Sequence, residues 1–482
     1  MDVLCADKTG TLTQNALVVV AVATMPDFDR ARVLALAALA SSEADQDPID
    51  AAIRVAATDV TSSQERLVRF IPFDPATKIS EATVFDSQGQ ELRISKGAFG
   101  VIATMADMPA DARRQADDLA GQGYRIIAVA AGPPTEFKLA GLIAISDPPR
   151  EDSARLISEL RELGVRTIMV TGDSPVTAAA IARKVGIPDR VCPAEQISDD
   201  MSIDQFEVFA RVVPEEKYRL VKALQGHGHV VGMCGDGTND APALRQAQIG
   251  IAVSSATDVA KAAAGMVMTE PGLAGIVFAV HEARIAFQRL LTYTFNMLVK
   301  KIEIVLFLAI GLVLTGHAVM TPALMVLLFM TNDFLSMSLT TDRASFAPSP
   351  SVWRMRNITS AAIVLGLSKL AFSTLLLGGG KFRLGLSSLE LQTLAFVTLV
   401  FGNQAVLYVL RERRPMWSSR PGPWVLASSA VDIGIISTLA LSGTLMQPLP
   451  VRVIAALFVA AIGFVFILDR IKLPVTAGFK VE

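Results

Sequence analysis

Asp7-Lys8-Thr9-Gly10-Thr11-Leu12-Thr13 is the stretch whose reading decides the fold. The apolar residues 3–6 before it read as a buried strand. An acid, a base, small hydroxyls and a glycine turn follow. A carboxylate at the end of such a strand sits where open α/β sheets place their ligands. Gly10 lets the backbone curl around an anion such as a phosphate. The plain alternative is a strand-to-turn junction with an incidental aspartate.

Two later loops repeat this design. Residues 166–170 read as a strand and lead into Thr171-Gly172-Asp173. A hydroxyl and backbone amides at a strand's end, ahead of a helix, suit phosphate binding. Residues 230–234 read as a strand ending in Gly235-Asp236-Gly237-Thr238-Asn239-Asp240-Ala241-Pro242. Two acids four apart on a glycine-rich loop form a hard-oxygen site for Mg²⁺. Between them, Pro214-Glu215-Glu216-Lys217 offers a lysine, which alone would be a solvated charge. No Gly-x-x-x-x-Gly-Lys-[Ser/Thr] loop occurs, so nucleotide handling is not of the P-loop type.

In this order the motifs resemble those of the P-type ATPases, and the chain is identified as a member of that family. The resemblance implies that Asp7 takes the γ-phosphoryl group of ATP as an acyl-phosphate. Lys8 and Thr9 beside it belong to the catalytic set, as do Gly172 and Asp173. Thr171 touches the phosphoryl group and Lys217 offsets its charge. Asp7 and Asp236 bind Mg²⁺ together with the Thr9 carbonyl. Asp240 supports that site, and Asn239 hydrogen-bonds the phosphate. Water later hydrolyses the acyl-phosphate, directed in the family by a glutamate of an actuator domain. The resemblance covers only the C-terminal part of such a pump. The N-terminal helices and the actuator domain are expected elsewhere, in a longer chain or a separate subunit. No cleavable signal peptide is read at the start of this chain.

The chain has 482 residues and a net charge of −2, with a mean hydropathy of +0.45. That length exceeds one core. Near-neutral charge argues against nucleic-acid binding. Cys5, Cys192 and Cys234 lack metal-ligand spacing and read as reduced cytosolic core residues. The expected fold is an α/β haloacid-dehalogenase-like phosphorylation domain with an inserted α+β nucleotide-binding domain. An all-α six-helix transmembrane domain follows. The expected boundaries are 1–20 and 141–285 for the phosphorylation domain, 21–140 for the insertion and 286–482 for the membrane part.

The insertion reads as a helix over 31–40, an acid-rich run Glu43-Ala44-Asp45-Gln46-Asp47-Pro48-Ile49-Asp50, and strands around 67–73, 82–85 and 91–95. By resemblance, Phe73 stacks on adenine, Lys96 lies at the floor of the nucleotide pocket and Arg125 reaches the phosphates. Lys78 and Asp147 are counted with these ATP contacts. Two departures from the family pattern, Phe99 after Lys96-Gly97-Ala98 and Ile79 after Lys78, imply weaker ATP binding. Asp147-Pro148-Pro149-Arg150 matches the family's hinge, and its prolines bar helix or sheet continuation.

Six runs are long enough to cross a bilayer core of about 30 Å: 293–316, 319–340, 358–379, 387–410, 423–445 and 450–469. Arg343, Arg354 and Arg356, then Arg411, Arg413, Arg414 and Arg420, then Arg470, Lys472 and Lys480 mark the cytoplasmic side. Only Lys381, Arg383 and Arg452 lie opposite. Ionisable groups within spans are functional candidates. Asn296, Lys300 and Glu303 recur on one helical face, and Lys301 adjoins them. Lys300 and Lys301 could instead snorkel. Asn332-Asp333 is expected with Ser336 and Thr340 on the face of Asp333, and Asp432 lies in the fifth span. Glu303, Asn332, Asp333, Lys300 and Asp432 are the expected ion path.

The branch resembled is that of the plasma-membrane proton pumps, through Met1-Asp2-Val3-Leu4-Cys5, Gly228-His229-Val230-Val231-Gly232-Met233 and the Asn332-Asp333 pair. In that branch the aspartate of the pair accepts the proton, and the first span often carries an arginine where Glu303 is aligned. A buried lysine–carboxylate pair could tune a proton site, and Glu303 with Asp333 could equally hold a metal cation. The reading is an ATP-driven cation pump of the plasma membrane, with protons as cargo and catalytic domains in the cytoplasm. The rivals are a pump for Mg²⁺, Ca²⁺ or K⁺, a non-pumping remnant or subunit, and a membrane-tethered phosphatase.

Overall fold

The computed structural model describes the whole chain except residues 43–46, 59–64, 86–88, 134–135, 194–202, 344–349, 351–352 and 482. The first half of the acid-rich run, Glu43-Ala44-Asp45-Gln46, lies outside the described residues. Two compact units are present, Met1–Phe278 and Ala279–Glu482.

The first unit opens with β1 (Val3–Asp7), an unbroken buried run. Such continuous apolarity belongs to a strand covered on both faces. After the turn Lys8–Leu12 the chain enters an antiparallel sheet of β2 (Val18–Thr24), β3 (Arg66–Asp74), β4 (Ile79–Phe85), β5 (Glu91–Ala98), β6 (Arg125–Gly132) and β7 (Lys138–Ser146), in the order β2-β7-β6-β5-β4-β3. Helices α1 (Arg30–Leu39), α2 (Pro48–Ala57), α3 (Phe99–Met105) and α4 (Ala112–Gly121) accompany it. This sheet runs from Val18 to Ser146, beyond the 21–140 expected for the insertion. Residues 141–146, which the expected boundary at 141 places in the phosphorylation domain, belong to β7, which pairs with β2 and β6.

The chain then runs through α5 (Ser153–Glu162), β8 (Arg166–Val170), α6 (Pro175–Lys184), β9 (Val191–Pro193), β10 (Val208–Ala210), α7 (Pro214–Gly226), β11 (Val231–Gly235), α8 (Ala241–Gln246), β12 (Ile249–Ala252), α9 (Asp258–Ala263) and β13 (Met266–Val267). Together with β1 these strands form a parallel sheet in the order β13-β12-β11-β1-β8-β10-β9. From β1 the chain builds outward through β8, then returns to add β11 on the other side. β1 is therefore the switch point, where such sheets bind ligands at their carboxyl ends.

The second unit consists of α10 (Ala274–Thr315), whose first residues precede the boundary, α11 (Pro322–Ser338), α12 (Met355–Phe382), α13 (Ser388–Leu410), α14 (Pro423–Ser442) and α15 (Val451–Phe479). Among the described residues, five helices are long and apolar enough to cross a membrane: Pro322–Thr341, Met355–Phe382, Ser388–Leu410, Pro423–Ser442 and Val451–Phe479. They mark an integral membrane protein. α10, expected to supply a sixth span, is not among them. Lys300, Lys301 and Glu303 interrupt its apolar stretch. α13 is buried along almost its whole length and forms the centre of this bundle.

Candidate functional site

Three loops converge at the carboxyl end of β1. Asp7 ends that strand, Thr171 follows β8, and Asp236 follows β11. Gly10 adopts φ +72°, and a Cβ there would stand 3.2 Å from Asp236 Oδ2. Glycine therefore permits both the turn and the approach of the two loops. Pro214 starts α7 at a position where its missing N–H costs nothing. That helix carries Lys217 inward.

Lys217 Nζ donates to Asp7 Oδ2 at 2.9 Å and to Asp240 Oδ1 at 2.7 Å. The other Asp240 oxygen accepts the backbone N–H groups of Asp236 and Gly237 at 3.1 and 3.0 Å. Asp240 thus shapes the loop and holds the lysine. Lys8 turns the other way and pairs with Asp173 at 2.9 Å. Thr171 is buried, and its hydroxyl accepts the Asp173 N–H at 3.1 Å. Gly172 lies between those two residues. Asn239 is exposed on the Asp236 loop.

Carboxylate oxygens of Asp7, Asp236 and Asp240 lie within 4.8 Å of one another. Burial pushes the Asp7 carboxyl up to about 6; Lys217 pulls it down, while Asp240 and Asp236 push it up. Asp236 is likewise raised, by burial and then by Asp240. Burial would lower Lys217, but Asp7 and Asp240 outweigh it and hold the ammonium above its usual value. One lysine thus faces three acids in a half-enclosed site. This excess of hard oxygen and negative charge fits a divalent cation. Asp240 has its oxygens engaged already, so Asp7 and Asp236 are the carboxylates free to hold it.

A cavity of about 480 Å³ lies in the six-stranded-sheet region. Phe73, Lys78, Lys96 and Arg125 line it together. Lys96 is buried, paired with Asp50, and donates to the Ser41 hydroxyl at 2.7 Å. Burial lowers its ammonium below the usual value, against the pull of Asp50. Gly97 is required here, because a Cβ would collide with the Lys78 carbonyl and Ile79. Asp147 does not line the cavity. Its oxygens accept the Thr13 hydroxyl at 2.5 Å and the Ala16 N–H at 3.2 Å, tying the segment after β7 to the segment after the Asp7 turn. Asp50, not singled out in the sequence, is the acid that answers Lys96. Its signal was an acid one turn inside a helix capped by Asp47 and Pro48.

In the second unit Lys300 is buried and donates to Asn332 Oδ1 at 3.1 Å and the Ser336 hydroxyl at 3.4 Å. It does not snorkel. Asp333 is exposed on this unit, and Ser336 lies on the face of Asn332 rather than of Asp333. Spacing alone allows either partner, and burial decides: Asn332 and Ser336 are buried together against Lys300, whereas Asp333 is exposed. Glu303 is fully buried against Lys369 and Ser373. Asp432 is buried and accepts from Gln404 at 2.6 Å. Lys369, Asn403 and Gln404 were not singled out, although a lysine inside an apolar helix was signal enough.

Comparison with known proteins agrees with this architecture. A relative from Methanocaldococcus jannaschii, provisionally named a cation-transporting ATPase, is 36% identical over 503 aligned positions that include all of this chain. The chain spans 62% of that relative's length. The family model of haloacid dehalogenase-like hydrolases matches residues 1–248, and a second such model matches 218–280. With Asp7 ending the central strand of a parallel sheet and more than half of its length matched, the chain belongs to the haloacid dehalogenase-like hydrolases.

Proposed function

We propose that the chain is the catalytic and membrane part of a cation-transporting P-type ATPase that works through an aspartyl-phosphate at Asp7. The observation that carries the reading is Lys217 held between Asp7 and Asp240, beside Asp236, at the switch point of the sheet. The spans and the named relative support the transport half of the reading.

In this reading an Asp7 oxygen attacks the γ-phosphorus of ATP. The new O–P bond forms as the bond to the β-phosphate oxygen breaks, and ADP leaves with that electron pair. Lys217 keeps Asp7 oriented and offsets charge on the transferred group. Thr171 and its neighbouring amides, with Asn239, receive the phosphoryl oxygens, and Lys8 steadies the Thr171 loop through Asp173. Mg²⁺, held by Asp7, Asp236 and the Thr9 carbonyl, would supply further charge neutralisation. Phe73, Lys78, Lys96 and Arg125 bind the nucleotide, with Asp147 fastening the hinge.

Segments outside these 482 residues would supply the actuator that directs hydrolysis and the remaining wall of the ion path. Asp333, exposed in a helix apolar enough to span a membrane, needs such a covering, because a carboxylate facing lipid is costly. Protons are the proposed cargo and the plasma membrane the proposed site, with Asp333 as acceptor near Lys300, Asn332 and Asp432. Full-length chain incubated with radiolabelled Mg-ATP should form an acid-stable, hydroxylamine-labile phosphoenzyme. Asp7→Asn should form none; label retained in that variant would refute the assignment.

A further inference from the structure

Four side chains from three helices meet inside the second unit. Glu303 comes from α10, Lys369 and Ser373 from α12, and Asn403 from α13; none is more than 1% exposed. The Lys369 ammonium is paired with Glu303 and donates to Asn403 Oδ1. The Ser373 hydroxyl donates to the other Glu303 oxygen at 2.6 Å. Gly402 clears the path of the lysine stem, since a Cβ there would stand 3.1 Å from Lys369 Cε. The Asn403 amide Nδ2 has no hydrogen-bond partner.

Lys369 lies near the middle of α12, about 20 Å from either end at 1.5 Å per residue. That is farther than a lysine stem reaches, so the ammonium cannot snorkel. A buried ion pair is a poor source of stability, and apolar side chains of similar volume would often serve better. What the cluster provides is a cage of hard oxygens with one negative charge: two from Glu303, one from Asn403 and one from Ser373. A single negative charge among otherwise neutral oxygens balances a monovalent cation, whereas divalent ions are usually held by more carboxylate charge. An ammonium resembles a potassium ion in charge and size.

The geometry points to Lys369 as a tethered cation that fills a monovalent-cation site framed by Glu303, Ser373 and Asn403. Lys369 thereby withdraws Glu303 from the transported-ion set and acts as a specificity-determining residue. That consequence rests on the proposed pump, whereas the filled site does not. Removing the ammonium leaves Glu303 to be neutralised by a proton, by the buried Lys300 one turn away or by an entering ion; Lys300 is already held by Asn332 and Ser336, and the surrounding oxygens favour the ion.

The test uses the full chain in detergent with radioactive sodium or rubidium against a choline background. Lys369→Ser should gain saturable binding that wild type lacks. Lys369→Arg should gain none, and Lys369→Ser with Glu303→Gln should lose the gain. Binding no better than wild type, or a gain that survives Glu303→Gln, overturns the proposal. Should Lys369→Ser unfold in choline, its recovery in rubidium supports the site. Unfolding in every salt makes the pair a structural lock and overturns it. Phosphoenzyme formation, followed in parallel, reports on the pump reading separately.

Discussion

The two units bury the same kinds of charge in opposite ways. At the end of β1, one lysine faces three carboxylates, and burial first, with Asp240 adding to it, raises Asp7 and Asp236. In the helical unit, Glu303 is paired directly with one ammonium, has the buried Lys300 one turn away on its own helix, and is sealed from solvent. In the proposed function, the unbalanced, half-open cluster receives a cation and a phosphoryl group. A balanced, closed one has its cation already. The difference teaches that charge balance, not the mere presence of acids, separates a receiving site from a filled one.

The sharpest way to break that contrast is to unbalance the sealed pair. Glu303→Gln leaves Lys369 charged and unpaired, and should cost about 3–5 kcal/mol of stability. Adding Lys369→Met should restore most of it in thermal unfolding. A mild loss would mean that water reaches the pair.

Next in size is the open cluster. Lys217→Ala should slow phosphoenzyme formation by about 10²–10³, the usual cost of losing one charge-stabilising donor. Rapid-quench labelling would show it. An unchanged rate would remove Lys217 from the chemistry.

The imbalance also predicts a trade of stability for function. Asp7 takes up its proton at about 6 in the fold, against a usual value of 3.8. A raised pKa stabilises the fold fully below the lower value and loses that contribution as pH rises through the higher one. At neutral pH without Mg²⁺, ionised Asp7 therefore costs about 2–3 kcal/mol, at about 1.4 kcal/mol per pH unit. Asp7→Asn should unfold at a higher temperature than wild type near neutrality, and the two should converge in acid. Equal stabilities at neutral pH would contradict the unbalanced charge.

The smallest effect concerns the cavity. Lys96→Met should weaken nucleotide binding about tenfold, or about 1.4 kcal/mol. Equilibrium titration with a fluorescent ATP analogue would measure it. Asp50→Asn should weaken binding less, because Lys96 keeps its place beside Ser41.

Much of the first unit was legible because its chemistry is written locally. Asp7, Thr171 and Asp236 each follow a short apolar strand, and parallel pairing brings strand ends together. The helical unit is harder to read. Its partners lie 28 to 70 residues apart on different helices, as in Gln404 with Asp432 and Ser373 with Glu303. Helical spacing fixes the face of Asn296, Lys300 and Glu303, but not which helix that face meets. Ser336 is three residues from Asp333 and four from Asn332, both same-face spacings, and only packing against Lys300 decides for Asn332. Asp50 was hidden for a similar reason, since it answers a lysine three strands later. Residues 141–146 misled because an apolar strand does not declare which sheet it joins.

The central claim is that Asp7 carries the phosphoryl group. The direct measurement is to label the full chain with Mg-ATP, reduce the acyl-phosphate with borohydride and locate the resulting homoserine by peptide mass spectrometry. The account predicts homoserine at position 7, dependent on ATP and Mg²⁺ and lost with Lys217→Ala at short times. Homoserine at any other aspartate, or none under conditions in which the chain binds nucleotide, would contradict it.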